Sequence, residues 1–379
     1  MPGAATPDAQ GFYHPGVLLN MAQLVAMQQR STNSAYPQYA ALKAMIASPQ
    51  GALKYTATPF VTVLCNSYSS GDPAACTAEK ADSEAAYAQA LLWNATGNPV
   101  YAKNAIAIMT AWDTTFTGGH TGTNAPLQAA WAGAVWARAA EIIKYTNAGW
   151  SPAAATAFGA WLTKEYLPEF EPPSCDNGNW ELTMSEAQIN IAVYNDDRTT
   201  FNEAISNWEA LAPAYIYLTT DGPTPLPFPF SCTGQSPPTW GFGNTPVYVN
   251  GLLQESYRDP QHANFGFAAM TDVAETALQQ GVDLYQWEDT AQRLMDAMEF
   301  QAQYLKPNDG TPPPHLTFSD QQTWEIAYNE YVNRLGYSLP LMGAVLPLIR
   351  PTGVNHMQNW ETMTHAGMGS IGLPPSTVP

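Results

Sequence analysis

Apolar residues along this chain recur three and four positions apart, and strict alternation is scarce, so the pattern predicts helices rather than strands. Asp82 to Trp93 carries Ala86, Leu91 and Trp93 among small residues. Asn94-Ala95-Thr96-Gly97-Asn98-Pro99 then stops one helix and Val100 to Trp112 restarts another, with Gly past one end and Pro at the next start. Met184 to Tyr194 and Arg198 to Trp208 repeat the layout around Asn195-Asp196-Asp197, with Phe201, Ala204, Ile205 and Trp208 on one face. Phe265 to Gln280 and Leu284 to Leu305 form a further pair, as do Leu127 to Asn147 and Ser151 to Tyr166. Each unit reads as a helix, a short turn and an antiparallel helix.

A helical hairpin cannot bury its apolar face alone, so such units must stack side by side. Their connections are long and unequal, which favours an all-α ring over an open solenoid. The expectation is an incomplete or closed α/α toroid (barrel) formed by residues 1–379 as a single domain. The stretch from Asp221 to Val249 holds Pro223, Pro225, Pro227, Pro229, Pro237, Pro238 and Pro246 and is read as a long functional loop. The Pro- and Ser-containing end, 369–379, is read as a flexible tail.

Composition narrows the function. The net charge is −18 with 14 Lys plus Arg, which excludes a nucleic-acid binder and an anionic-membrane binder. No apolar run is long enough to span a bilayer. The opening Met1-Pro2-Gly3-Ala4-Ala5-Thr6 lacks the basic and apolar regions of a signal peptide and reads as a mature chain with an added Met. The 4 cysteines show no metal-type spacing. They are expected to pair as Cys65–Cys76, closing a short loop, and Cys175–Cys232, tying distant loops. Together with low Lys content and the Asn94-Ala95-Thr96 sequon they point to a secreted chain.

Several segments set titratable groups at helix ends beside loops. Cys175-Asp176-Asn177-Gly178-Asn179-Trp180-Glu181 opens a helix; a plain N-cap accounts for one of its polar residues, not for two Asn beside an aromatic. In Glu255-Ser256-Tyr257-Arg258-Asp259-Pro260-Gln261-His262, Pro260 suits a first helical turn, leaving Arg258 outside and His262 within it. The bland alternative pairs Arg258 with Asp259. Trp324 to Arg334 places Tyr328 and Tyr331 on one face and pairs Glu330 with Arg334; the bland alternative is a pair of core tyrosines and a surface ion pair. Gly119-His120-Thr121-Gly122-Thr123-Asn124 is a loop that could lend an Asn. Nucleophile elbows, phosphate loops and zinc motifs are absent, and the 6 histidines are scattered, so no metal and no cofactor are expected.

Taken in order, these stretches resemble the alginate lyase family. Tyr13-His14-Pro15-Gly16-Val17-Leu18-Leu19, Ala86-Tyr87-Ala88-Gln89-Ala90-Leu91-Leu92-Trp93, Asn177-Gly178-Asn179-Trp180, Arg258-Asp259-Pro260-Gln261-His262, Gln280-Gly281-Val282-Asp283-Leu284-Tyr285 and Tyr328-Asn329-Glu330-Tyr331 carry the likeness across roughly residues 12 to 340. The nearest group is polysaccharide lyase family 38, alginate and glucuronan lyases. The resemblance implies an α/α toroid and metal-independent β-elimination on an acidic polysaccharide; a monomer is expected. Such an enzyme must neutralise a uronate carboxylate, remove the C5 proton and protonate the leaving O4.

By that resemblance Asn179 and Arg258 bind the carboxylate, His262 is the base, and Tyr328, in preference to Tyr331, is the acid. Asn177, Trp180, Asn124, His120, Tyr257, Tyr331 and Arg334 are the expected substrate contacts. The chain departs from a related group that has a catalytic Tyr seven residues after the Arg, because Phe265 stands there. Two other classes remain: an α/α-barrel glycoside hydrolase using Glu181, Asp259 or Glu325, and a non-catalytic carbohydrate binder stacking sugars on Trp180, Trp240 and Trp324.

Overall fold

A computed structural model of the chain describes residues 6–66, 73–170, 175–176, 178–232, 239–320 and 323–379. Helical hairpins dominate: α1 (Met21–Ser31) with α2 (Pro37–Ala47), α3 (Ala74–Thr96) with α4 (Pro99–Thr115), α5 (Ala125–Tyr145) with α6 (Pro152–Glu165), α7 (Gly178–Tyr194) with α8 (Arg198–Tyr215), and α9 (Pro260–Gln279) with α10 (Thr290–Ala302). α11 (Glu325–Tyr328) runs into a π-helical turn over Asn329–Arg334, followed by α12 (Pro340–Ile349) and α13 (Glu361–His365). The expected punctuation is in place: Gly97 ends α3 at φ 67°, and Asn98 caps α4, whose first residue is Pro99.

α3, α5, α7 and α9 pack side by side as an inner wall, each antiparallel to its outer partner. α1 and α2 pack on α3, α11 packs on α9, and α13 touches α11 on one side and α1 and α2 on the other. The ring is therefore a closed α/α toroid. The inner helices are buried on nearly every side, so their sequences are small and apolar, as in the Ala-rich run of α5. Trp112, Trp136 and Trp208 fill the layer between the inner and outer helices. No helix among the described residues is long and apolar enough to cross a membrane.

Short two-stranded pairings join the loops. β1 (Val63–Leu64) runs parallel to β2 (His120–Thr121), β3 (Ile216–Tyr217) pairs antiparallel with β4 (Leu252–Leu253), and β5 (Val354–Asn355) with β6 (Gln358–Asn359). Both expected disulfides are present, Cys65–Cys76 beside the first turn of α3 and Cys175–Cys232 ahead of α7.

Some expectations change. The helix expected from Leu284 to Leu305 is broken: Leu284–Gln286 forms a 3-10 turn, Glu288 sits at φ 44°, and α10 begins only at Thr290. The 369–379 end, read as a flexible tail, lies on the body. The Asp283 N–H donates to the Thr377 carbonyl (2.8 Å), and Asn20 Nδ2 donates to the Ile371 carbonyl (2.9 Å).

Candidate active site

Consecutive inner helices run in the same direction, so the first turns of α3, α5, α7 and α9 meet at one rim of the toroid. The positive ends of their helix dipoles gather there, a setting that favours anions in a chain of strongly acidic composition. Glycine permits the close approach at α7: a Cβ on Gly178 would stand 2.3 Å from Tyr215 Cδ2. The Gly178 N–H donates to Gln254 Oε1 (2.9 Å).

One hydrogen-bonded chain links the expected residues. Asn179 Nδ2 donates to Glu255 Oε2 (2.5 Å), Arg258 Nη1 donates to Glu255 Oε1 (2.8 Å), Arg258 Nε lies 3.9 Å from Asp259 Oδ2, and His262 Nδ1 is bonded to Asp259 Oδ2 (2.7 Å). Asp259 also caps α9 by accepting the His262 backbone N–H (2.8 Å). Glu255 is fully buried, and burial holds its carboxyl above the usual range against the pull of Asn179 and Arg258. For Asp259 burial also pushes upward, yet the hydrogen bonds from His262 and the charge of Arg258 bring it below its ordinary value. The Asn179 side-chain oxygen is buried without a partner. The Arg258 and His262 side chains keep part of their surface open, 31% and 23%.

Next to this chain lies a narrow cleft lined by Asn66, Lys80, Asn124, Gln128, Trp131 and His356. Asn124 stands at the N-cap of α5, but its side chain does not cap the helix. Trp131 stacks on the His356 ring at 4.0 Å, and the Phe265 ring meets both, edge-on, at 5.7 and 4.9 Å. The His262 ring lies 6.1 Å from Phe265. Burial, with Lys80 and His262 nearby, holds the His356 imidazole well below its ordinary pKa, hence neutral.

Other expected residues lie elsewhere or turn inward. His120 is buried, its Nε2 bonded to Glu79 (2.9 Å), which also binds Gln128 and the Tyr166 hydroxyl. The Tyr257 hydroxyl accepts the Val247 N–H (2.8 Å) within a separate apolar cluster. Tyr331 is core, donating to the Tyr285 carbonyl (3.1 Å). Arg334 is no surface pair: it grips Asp283 through both Nη atoms (2.8 and 3.0 Å) and buried Glu330, at the C-terminal end of α9 and so away from the rim. Tyr328 is half-buried, and its charged neighbours are Arg350, Glu325 and Glu299; no described contact joins it to the Asn179–His262 chain. Trp180 is half-buried in the first turn of α7, and Asn177 lies outside the described residues.

Residues 66–226 match the alginate lyase family model. Alginate lyase A1-III from Sphingomonas species A1 superposes with a TM-score of 0.62 at 16% identity, covering 96% of this chain and 97% of that one. A histidine-to-alanine variant of A1-III, complexed with tetrasaccharide, gives 0.64 at 16% over 96% of each chain. The chain shares the fold of these alginate lyases, and residues 66–226 carry that family's sequence pattern. An alginate lyase from Bacteroides ovatus gives 0.62 at 13% identity over 93% of this chain and 99% of that chain. No curated protein sequence matches. Around the cleft, sequence reasoning passed over Lys80, Gln128, Trp131 and His356. The first three sit within helices where an apolar period hides them. His356 sits on a short hairpin with no period at all.

Proposed function

We propose that the protein is a secreted polysaccharide lyase that cleaves a polyuronate, alginate or glucuronan, by β-elimination at the rim where α3, α5, α7 and α9 begin. The observation that carries the reading is the Asn179–Glu255–Arg258–Asp259–His262 chain, which ties an amide, a guanidinium and an imidazole together at the positive ends of two inner helices. Asn179 and Arg258 would meet the uronate carboxylate. Neutralising that charge lowers the cost of carbanion character at C5, which is where such a reaction is slow. His262, with Nδ1 held by Asp259, presents its other nitrogen for proton transfer; the base role expected from the sequence is open to it. Trp131 and Trp180 offer faces for sugar rings. The two disulfides and the acidic surface composition suit an extracellular enzyme.

Among the described residues, Asp8, His14 and Asp196 could together hold a metal ion, but they lie at the opposite end of the inner helices from the reacting groups. The proposed elimination uses side chains alone. Incubation with polymannuronate, polyguluronate and glucuronan should release products with the ultraviolet absorbance of a C4–C5 double bond. Reducing ends without that absorbance would mean hydrolysis, and neither signal on any polymer would leave only binding.

A further inference from the structure

His356 is built into the rim in a way that core packing does not require. The β5–β6 hairpin that carries it lies outside the helical repeat. Its turn is bolted down: the His356 N–H donates to Glu84 Oε1 (3.1 Å), Arg138 Nη1 donates to the Met357 carbonyl (2.7 Å), and Asn359 donates to the His356 carbonyl. Burial, partly offset by Lys80, raises the Glu84 carboxyl to about 7. His356 itself adopts φ 54°, a left-handed backbone that a β-carbon disfavours. Backbone held against its preference by surrounding bonds is concentrated where geometry serves chemistry.

The ring then lines the narrow cleft with Lys80, Asn124 and Gln128, stacked on Trp131 and met edge-on by Phe265. The residue is 4% exposed, and its Nδ1 has no hydrogen-bond partner. A buried polar atom left unpaired is costly, so an arrangement that keeps one invites a ligand or a proton. His262 also meets Phe265 edge-on but in a different environment, its Nδ1 bonded to the Asp259 carboxylate.

We propose that His356 is a catalytic residue, the base that takes the C5 proton, and that His262 is the acid; this rests on the lyase reading and reverses the role the sequence suggests for His262. In the step, the C5–H bond breaks and its proton passes to a ring nitrogen of His356. The electron pair closes the C4=C5 double bond. The C4–O4 bond breaks, and O4 leaves with a proton from the His262 imidazolium. Solvent then removes the proton from His356 and returns one to His262. Lys80, beside His356, faces the carboxylate and keeps the base ring neutral before substrate arrives.

The test pairs His356→Gln and His262→Gln on the polymer that the wild type cleaves and on the matching 4-deoxy-4-fluoro uronoside, whose fluoride leaves without an acid. His356→Gln should lose about a hundredfold or more in kcat on both substrates. His262→Gln should lose activity on the polymer and recover on the fluoride. Oligouronate binding, read by tryptophan fluorescence, should stay within about threefold of wild type, which shows that the fold is kept. His356→Ala with added imidazole supplies a second readout, since returning turnover marks a chemical role for the ring. Near-wild-type kcat in His356→Gln, or its rescue by fluoride, overturns the assignment while leaving the lyase reading intact. A wild type that forms no unsaturated product on any polyuronate overturns both.

Discussion

His14 offers a quantitative test of how the N-terminal segment is held. Its Nδ1 meets Glu141 at 2.6 Å and its Nε2 meets Asp196 at 2.7 Å, while the ring stacks on Tyr145 at 4.5 Å. Burial opposes the charged ring, but the carboxylates of Glu141 and Asp196 prevail and raise its pKa from 6.5 to about 8. With the His14 side chain only 6% exposed, solvent screening is slight. A rise of about 1.5 units at about 1.36 kcal/mol each amounts to about 2 kcal/mol. The folded pKa is the higher one, so this stability is full below pH 6.5 and is lost as pH rises through 8. Glu84 and Glu186, raised to about 7 and about 8, titrate in the same window, so the readout must be a difference. Denaturant unfolding of wild type and His14→Gln at pH 6 and pH 9 should show the gap between them shrinking by about 2 kcal/mol at the higher pH. An unchanged gap would refute the ion-pair account of this anchor.

Replacing Arg138 by Met should cost about 3–5 kcal/mol in chemical denaturation, because Glu186 and Asp272 (2.7 Å) would remain buried without their cation. Glu255→Gln should lower kcat/KM by about ten- to a hundredfold through loss of about 1.5–3 kcal/mol of charge-assisted bonding to Arg258, measured by initial rates of double-bond formation. Gly266→Ala places a Cβ 2.1 Å from the Tyr215 hydroxyl and should destabilise by about 1–3 kcal/mol in the same unfolding assay.

Four of the five hairpins were legible because short turns separate their apolar-periodic runs, and α4 and α8 begin within a residue or so of where the pattern places them; the α1–α2 hairpin was not read. Ring closure was less legible, since it depends on α13, whose five residues carry too little pattern to announce a helix. At the site, Asn179, Arg258 and His262 could be read because they cluster at helix starts. The part played by Glu255 could not, since a buried carboxylate bridging two donors leaves no local signature. Tyr331 and Arg334 were misleading for a related reason. Helical spacing reports which residues share a face, but not which end of the ring that face occupies, and the π-helical turn alters the spacing further.

The 354–359 hairpin has an implication for how such proteins diversify. The barrel's stability resides in the repeated helices, while this graft touches them through a handful of bonds to Glu84, Arg138 and Asn264. A lineage could exchange one short insert for another and present a different functional group to the same opening, without repacking a single helix. Homologues of equal architecture would then differ in chemistry at a position their shared scaffold does not reveal.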